Sequence, residues 1–297
     1  MHADEVDVDE DLVRALLRAQ FPRYAGLPVR RVESGGTVNA IFRVGDGLSV
    51  RLPLTAGGAG TVDREALWLP RLAPLLPAPV PAVVGTGEPG EGFPWRWAVH
   101  GWIAGEVPVE GRVGGAAEGL AADLAAFVTA LRGVGLDGGP PAHRRAPLAE
   151  ADAETRAAVE ELRRTDEPFD AGAALAAWEE ALAAPAWEGP ACWSHSDLMP
   201  SNLLTAGGRL AAVLDFGTVG LGEPAVDLVP AWNLLPAPAR RVFRERVGAD
   251  GAAWARGRGW ALSMALIQLP YYRRTNAVIS ANARHVIREV LADAAGR

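Results

Sequence analysis

Two patterns of apolar and polar residues divide the chain. Up to about residue 105, short apolar runs alternate with glycine-containing turns, which predicts a small β-sheet accompanied by helices at 12–20 and 61–72. The predicted strands are 29–33, 40–44, 48–52, 79–85 and 97–103. The glycine-rich stretch 57–60 is predicted to be a flexible loop.

Beyond Gly105 the apolar residues recur at helical spacing in segments rich in Ala, Leu and Glu. The predicted helices are 116–132, 151–164, 171–184, 224–235, 239–247, 251–269 and 278–295. We therefore predict an α+β protein with a small β-rich domain at 1–105 and a larger helical domain at 106–297.

Composition narrows the chemistry that the chain can perform. All 29 basic residues are arginine, which excludes the lysine-containing phosphate loop, the Schiff-base lysine and the S-x-x-K nucleophile. The one cysteine, Cys192, excludes an intrachain disulfide framework and a thiolate metal cluster. The five histidines are scattered, so any divalent metal should be a hard ion bound by oxygen.

The net charge of −7 disfavours nucleic acid as a partner and favours a cationic small molecule. The first residues are acidic, unlike a signal peptide, and no apolar run approaches the ~20 residues that span a bilayer. We expect a cytoplasmic protein that does not bind membranes and exists as a monomer or weak dimer.

One stretch carries most of the chemical information. His195, Asp197 and Asn202 form the pattern H-x-D-x-x-x-x-N, and an apolar strand leads from it to the D-F-G sequence that begins at Asp215. Two carboxylates and an amide oxygen suit a hard divalent ion together with a group that accepts a hydroxyl proton. Phosphoryl transfer requires this combination, because its catalysis consists mostly of positioning and charge neutralisation.

These motifs resemble those of the aminoglycoside phosphotransferase family, the antibiotic kinases of the protein-kinase-like fold. The family usually has His-Gly-Asp at this motif, whereas Ser196 occupies the middle position here. The segments 215–228 and 266–290 also look familial, and the resemblance is weakest over 111–190. It implies a bilobal protein-kinase-like fold, ATP or GTP as phosphoryl donor, Mg²⁺, and a hydroxyl acceptor on an antibiotic, with resistance as the outcome.

The resemblance also implies roles in the first domain. The loop Ser34, Gly35, Gly36, Thr37 would cover the nucleotide phosphates. Arg51 stands where the family has a phosphate-binding lysine, and Glu65 on the following helix is its expected partner. The connector Gly101, Trp102, Ile103 resembles the hinge whose backbone receives a purine base.

In the second domain, Asp197 is expected to accept the hydroxyl proton, while Asn202 and Asp215 hold Mg²⁺. His195 and Asp227 are expected to brace the loop rather than react. The candidates for lining the substrate cleft are Glu223, Trp232, Asn233, Tyr271 and Asn276, although aromatic and amide residues on helices are more often core or cap residues. We expect this cleft to be acidic, from Glu223 and Asp227 together with Asp152 and Glu154 at a helix start.

Several functions stay open at this point. An aminoglycoside is the first expected acceptor, followed by a macrolide or a basic peptide antibiotic, and then by a sugar or amino alcohol. Arg51 and Ser196 also allow a pseudokinase that binds nucleotide without catalysis, although retention of Asp197, Asn202 and Asp215 argues against it. A protein kinase is disfavoured, since no A-P-E signature follows Asp215.

Overall fold

The structure is a computed structural model that describes residues 6–33, 38–111 and 113–295. The chain divides into two compact units. Unit 1 comprises Met1–Glu106 and Ala211–Gly217, and unit 2 comprises Val107–Leu210 and Thr218–Arg297. The sequence pattern did not indicate that the segment Ala211–Gly217, which contains Asp215, would group with the first unit.

Unit 1 is built on a five-stranded sheet in which all neighbouring strands are antiparallel. The strands are β1 (Val29–Arg31), β2 (Asn39–Val44), β3 (Leu48–Pro53), β4 (Val83–Gly87) and β5 (Trp97–Gly101), in the spatial order β1-β2-β3-β5-β4. The predicted hairpin between β2 and β3 is present, and Gly45 takes the positive φ that its tight turn requires.

Apolar side chains at alternate positions of β2 and β3 form the core of unit 1. Phe42 and Val50 lie directly opposite each other, and both side chains are fully buried. Helix α1 (Glu10–Gln20) contributes Leu16 and Leu17 to the same core. The core therefore holds β3 rigidly, and β3 carries Arg51.

Two expectations for unit 1 are wrong. Residues 57–60 are not a loop: helix α2 runs over Ala56–Leu72, because Thr55 caps it by accepting a hydrogen bond from the Gly58 N–H at 3.3 Å. Strand β4 begins at Val83 rather than at residue 79, since Pro79 and Pro81 cannot donate the hydrogen bonds of a strand.

Unit 2 is largely helical. Its helices are α3 (Ala117–Arg132), α4 (Asp152–Arg163), α5 (Ala171–Leu182), α6 (Pro230–Asn233), α7 (Ala237–Val247), α8 (Gly251–Tyr272) and α9 (Ala277–Ala295). Helix α8 is central and packs on α4, α5 and α9. Gly257 permits close packing of α8 on the turn Pro224–Leu228, because a Cβ there would lie 2.7 Å from the Leu228 side chain.

One predicted helix of unit 2 is wrong in type. Residues 224–235 form a 3₁₀ turn, Pro224–Leu228, and then the single turn of α6, because prolines interrupt the segment. The other strands near the motif are β6 (Cys192–Ser194), which pairs with β9 (Gly220–Gly222), and β7 (Leu203–Ala206). Strand β8 (Arg209–Val213) begins in unit 2 and ends in unit 1.

By length and composition, the segment Gly114–Arg132 is apolar enough to cross a membrane, with a mean hydropathy of 1.2. In the fold this segment contains α3, whose Leu120, Leu124 and Phe127 are fully buried in the core of unit 2. Its apolar character is thus that of a core helix.

Candidate active site

The H-x-D-x-x-x-x-N motif forms a loop in unit 2 that starts directly after β6 and ends in a 3₁₀ turn, Pro200–Asn202. Asp197 is partly exposed within this loop. The Asn202 amide nitrogen donates to the Asp197 backbone oxygen at 2.9 Å and to its carboxylate Oδ2 at 3.0 Å. Asn202 therefore holds the carboxylate with its nitrogen, which leaves its amide oxygen to bind a cation.

Buried polar side chains hold this loop by its backbone. Asp227 accepts the His195 N–H at 2.7 Å and the Ser196 N–H at 2.8 Å. Burial raises the pKa of Asp227, while the neighbouring His195 and these N–H donors act in the opposite direction. The Thr218 hydroxyl donates to the His195 carbonyl at 2.8 Å, so His195 and Asp227 both lie where a bracing role would place them.

Sequence reasoning missed Arg144. Its guanidinium donates to the Ser196 carbonyl at 2.7 Å and to Asp197 Oδ1 at 3.3 Å. Arg144 precedes Asp197 by more than 50 positions and belongs to no motif, so only the fold brings the two together.

In unit 1, Arg51 lies between two carboxylates. Its Nη1 donates to Glu65 Oε1 at 2.7 Å and to Oε2 at 2.9 Å, and its Nη2 lies 3.0 Å from Asp215 Oδ1. Burial alone would lower the pKa of Arg51, but the charges of Asp215 and then Glu65 outweigh it and raise the pKa above its usual range. Glu65 also accepts the Phe216 N–H at 2.8 Å, which ties the D-F-G segment to helix α2.

His100 on β5 adds a second unusual group to this cluster. Its ring is buried, with Nε2 3.7 Å from Glu65 Oε2. Burial, reinforced by the positive charge of Arg51, lowers its pKa to about 3, so the imidazole is neutral at physiological pH. The charge in this cluster therefore comes from Arg51, Glu65 and Asp215.

The residues of the expected nucleotide hinge lie at the end of β5. The Gly101 N–H donates to the Ala82 carbonyl at 2.8 Å, and the Trp102 N–H donates to the Gly47 carbonyl at 2.9 Å. Those two N–H groups are therefore committed to the sheet, and of the three residues Ile103 is the candidate N–H donor to a base. The phosphate-covering loop Ser34, Gly35, Gly36, Thr37 lies outside the described residues.

The structure places most of the expected substrate residues elsewhere. Trp232 is fully buried and its ring centroid lies 4.6 Å from that of Trp254, which is core packing. Asn233 is also buried, and its amide donates to the Leu198 carbonyl at 2.9 Å, so it supports the catalytic loop instead. The expectation that Trp232 and Asn233 line an open cleft is wrong, because their helix turn packs inward.

Asn276 caps helix α9. Its Oδ1 accepts the N–H groups of Val278 at 3.1 Å and Ile279 at 3.0 Å. Tyr271 is half-exposed and packs edge-on against Tyr272. Tyr271 therefore presents a surface that a ligand could contact, whereas Tyr272 and Asn276 are only partly exposed.

The expected acidic cleft is also weaker than the sequence suggested. Glu223 is buried and paired with Arg256, whose Nε lies 2.6 Å from Oε1. Asp152 accepts hydrogen bonds from Trp178 at 2.7 Å and from Arg156 at 2.8 Å. Glu223 and Asp152 are each paired with an arginine, so they add little field for a cation to follow, whereas Glu154 is exposed.

Glu223 borders a cavity of about 540 Å³ in unit 2. Its walls are mostly apolar and include Leu148, Leu182 and Trp187. This volume falls in the range of ~300–1,000 Å³ that is usual for small-molecule sites.

Among the described residues, no group of three or more His, Cys, Asp or Glu side chains forms a ready-made metal site. Mg²⁺ does not need one, since it usually takes one or two protein ligands and completes its shell with water and substrate phosphates. The Asp215 carboxylate and the Asn202 amide oxygen are ligands of the right chemistry. The side chains present fit the ion in donor type.

The fold is protein-kinase-like: the β-sheet unit contains an ion pair to a helix, and the helical unit contains the braced H-x-D loop. The predicted α+β class is confirmed. The family model described as the phosphotransferase enzyme family (APH) matches residues 29–260. The chain belongs to this family, as its motifs indicated. The search of curated proteins found no match.

Solved structures agree on the fold. The "GDP and kanamycin complex of APH(2")-IIia" superposes with a TM-score of 0.75 at 18% identity, covering 95% of this chain and 98% of the other. The GDP complex of wild-type aminoglycoside 2'-phosphotransferase-IIIa gives 0.75 at 18% identity, covering 97% and 100%. The macrolide 2'-phosphotransferase MphH from Brachybacterium faecium gives 0.58 at 21% identity, covering 95% and 98%.

Proposed function

We propose that the protein transfers the γ-phosphoryl group of ATP or GTP to a hydroxyl group of a small-molecule antibiotic. The observation that carries the proposal is the state of the catalytic loop: Asp197 is partly exposed, its carboxylate is oriented by Asn202, and the loop backbone is held by Asp227. A buried carboxylate that holds the loop backbone also fixes the position of the partly exposed Asp197 carboxylate that the loop carries.

The residues divide the work as follows. Asp197 orients the acceptor hydroxyl and takes its proton as the oxygen attacks phosphorus. Arg51, held by Glu65, binds the phosphates of the nucleotide in place of the usual lysine. Asp215 and Asn202 would hold Mg²⁺, which would neutralise charge on the phosphates.

An aminoglycoside is the first proposed acceptor. Kanamycin, gentamicin and streptomycin are named in complexes of fold neighbours, and the net charge of −7 favours a polycation. The neighbours share less than a quarter of their residues with this chain, so they support the choice only as members of the same fold.

A macrolide is the second proposed acceptor, and the cavity beside Glu223 is what favours it. Its apolar walls suit a large ligand with apolar surface, and the one buried carboxylate in it is already paired with Arg256. A fold neighbour is a macrolide 2'-phosphotransferase.

The test is transfer by the purified protein with ATP and, separately, GTP in the presence of Mg²⁺. Kanamycin, gentamicin, streptomycin and a macrolide are the acceptors, and mass spectrometry detects the added phosphoryl group. Phosphorylation of one class identifies the acceptor. Nucleotide binding without transfer to any acceptor would contradict the proposal and support the pseudokinase alternative.

A further inference from the structure

The segment between α3 and α4 runs beside the catalytic loop in unit 2. Its backbone is fixed against β9 and the residues before it: the Leu221 N–H donates to the Pro140 carbonyl at 2.7 Å, and the Ala142 N–H donates to the Leu221 carbonyl at 3.0 Å. The His143 N–H then donates to the Thr218 carbonyl at 3.1 Å. Arg144 is the next residue, so these backbone hydrogen bonds fix its position beside the catalytic loop.

Ser196 has an unusual conformation at the point of contact. Its φ is 70°, in the left-handed region that costs a non-glycine residue about 1 kcal/mol or more. Its buried hydroxyl accepts the Arg144 backbone N–H at 2.8 Å. The serine that departs from the His-Gly-Asp pattern therefore has a defined partner in this chain.

The Arg144 side chain adds a second connection. Its Nη1 donates to the Ser196 carbonyl at 2.7 Å and to Asp197 Oδ1 at 3.3 Å. The other carboxylate oxygen of Asp197, Oδ2, receives the Asn202 amide. Each oxygen of the proposed proton acceptor thus has its own donor, and the two donors fix the plane of the carboxylate.

We propose that Arg144 is a positioning residue that holds the Asp197 carboxylate in its reactive orientation. The guanidinium can do this because the Ser196 carbonyl anchors it independently of Asp197. The inference rests on the proposed function, since it gives Arg144 a role in phosphoryl transfer. Small errors in the position of such a group cost large factors in rate.

Four variants separate this role from support of the turn. Arg144→Ala should lower kcat by about 10- to 100-fold while leaving nucleotide Kd and KM within about twofold, because the hydroxyl proton acceptor, not nucleotide binding, is disturbed. Arg144→Lys should recover part of kcat, since an ammonium can reach one of the two oxygens. Ser196→Gly keeps the turn, because glycine adopts the φ of 70° freely, but it loses the hydroxyl that accepts the Arg144 backbone N–H, so it should lower kcat by less than Arg144→Ala does.

Arg164→Ala is the control, since Arg164 is an exposed arginine of the same unit, at the end of α4. It should leave kcat unchanged. A wild-type kcat in Arg144→Ala would overturn the proposal. So would recovery of kcat in the double variant Arg144→Ala with Ser196→Gly, because Arg144 would then act only through the turn.

Crystal structures of the wild type and Arg144→Ala provide a readout that needs no turnover. The wild type should show one Asp197 conformer, and Arg144→Ala should show a second rotamer or a rotated carboxylate. An Asp197 that keeps its place without Arg144 would refute the positioning role even in a protein that transfers no phosphate. Failure of the proposed function alone would leave the wild type and Arg144→Ala different in structure but equally inactive.

Discussion

Replacing Arg51 by methionine should destabilise unit 1 by about 3–5 kcal/mol, the usual cost of breaking a buried ion pair from one side. The side chain of Glu65 is only 4% exposed and receives two hydrogen bonds from Arg51. Without Arg51 it keeps the Phe216 N–H but lies buried next to the like charge of Asp215. Methionine preserves most of the arginine stem, so packing changes little.

The double variant Arg51→Met with Glu65→Gln distinguishes the lost charge from the lost contact. Glutamine is isosteric and neutral, so the buried carboxylate is removed with its partner. The double variant should therefore be at least 2 kcal/mol more stable than Arg51→Met alone, a coupling of the size that double-mutant cycles report for contacting residues. Arg51→Lys should lie between the wild type and Arg51→Met, because an ammonium retains the charge but not the paired geometry.

Urea unfolding measures these differences, since urea leaves ionic strength constant. The intrinsic fluorescence of the ten tryptophans, which lie in both units, follows the unfolding transitions. Arg43→Met on the neighbouring strand is the control, because the Arg43 side chain is 42% exposed and pairs with the fully exposed Asp46, so it should change stability by less than about 1 kcal/mol. A loss below 1 kcal/mol in Arg51→Met, or a double variant less stable than the single one, would refute this account of the cluster.

Three further predictions follow from individual side chains. The pKa of His100 is about 3 in the folded protein, against an ordinary value near 6.5, so the unfolded chain binds the extra proton and stability falls as the pH drops below ~6.5. Between pH 7 and pH 5, His100→Gln should lose about 2 kcal/mol less free energy of unfolding in urea than the wild type loses. An identical loss would contradict the buried neutral ring. Asn276→Ala should lower the free energy of unfolding by about 1 kcal/mol through loss of the α9 cap while KM for the acceptor stays unchanged, whereas a raised KM would restore Asn276 to the substrate site. Chelation of Mg²⁺ should abolish transfer and weaken nucleotide binding in calorimetry, and Asp215→Asn should reproduce the effect at normal Mg²⁺; binding that ignores the chelator would count against the metal.

The pattern of apolar and polar residues predicted those strands and helices whose own residues carry the pattern. The alternation of β2 and β3 and the long apolar period of α8 and α9 follow from burial on one or more faces, so their positions agree with the sequence to within a few residues. The loop predicted at 57–60 was wrong because glycine lowers helix propensity but does not forbid a helix that is capped by Thr55 and packed on unit 1.

The candidate site likewise contains residues that local sequence could predict and residues that it could not. Asp197, Asn202 and Asp215 could be proposed because their spacing is a motif, and the family resemblance predicted the ion pair of Arg51 with Glu65, which the structure contains. Arg144 could not be found, since nothing local marks an arginine that contacts a loop more than 50 residues away.

The prediction that Trp232 and Asn233 line the substrate cleft was wrong for a related reason. An aromatic or amide side chain on a helix has the same local sequence signal whether it faces a cleft or the core. Only the packing of the turn that carries Trp232 and Asn233 shows that both face inward.

The most direct test of the central claim is the rate of phosphoryl transfer by Asp197→Asn. Asparagine keeps the size of the side chain and one oxygen for the Asn202 amide, but it cannot accept the hydroxyl proton, and its NH₂ group replaces the oxygen that Arg144 contacts. The account predicts a fall in kcat of about 10²–10⁴-fold, measured with the best acceptor, while nucleotide Kd stays within about twofold of the wild type. A variant that transfers phosphate at a near wild-type rate would contradict the assignment of this loop as the catalytic centre.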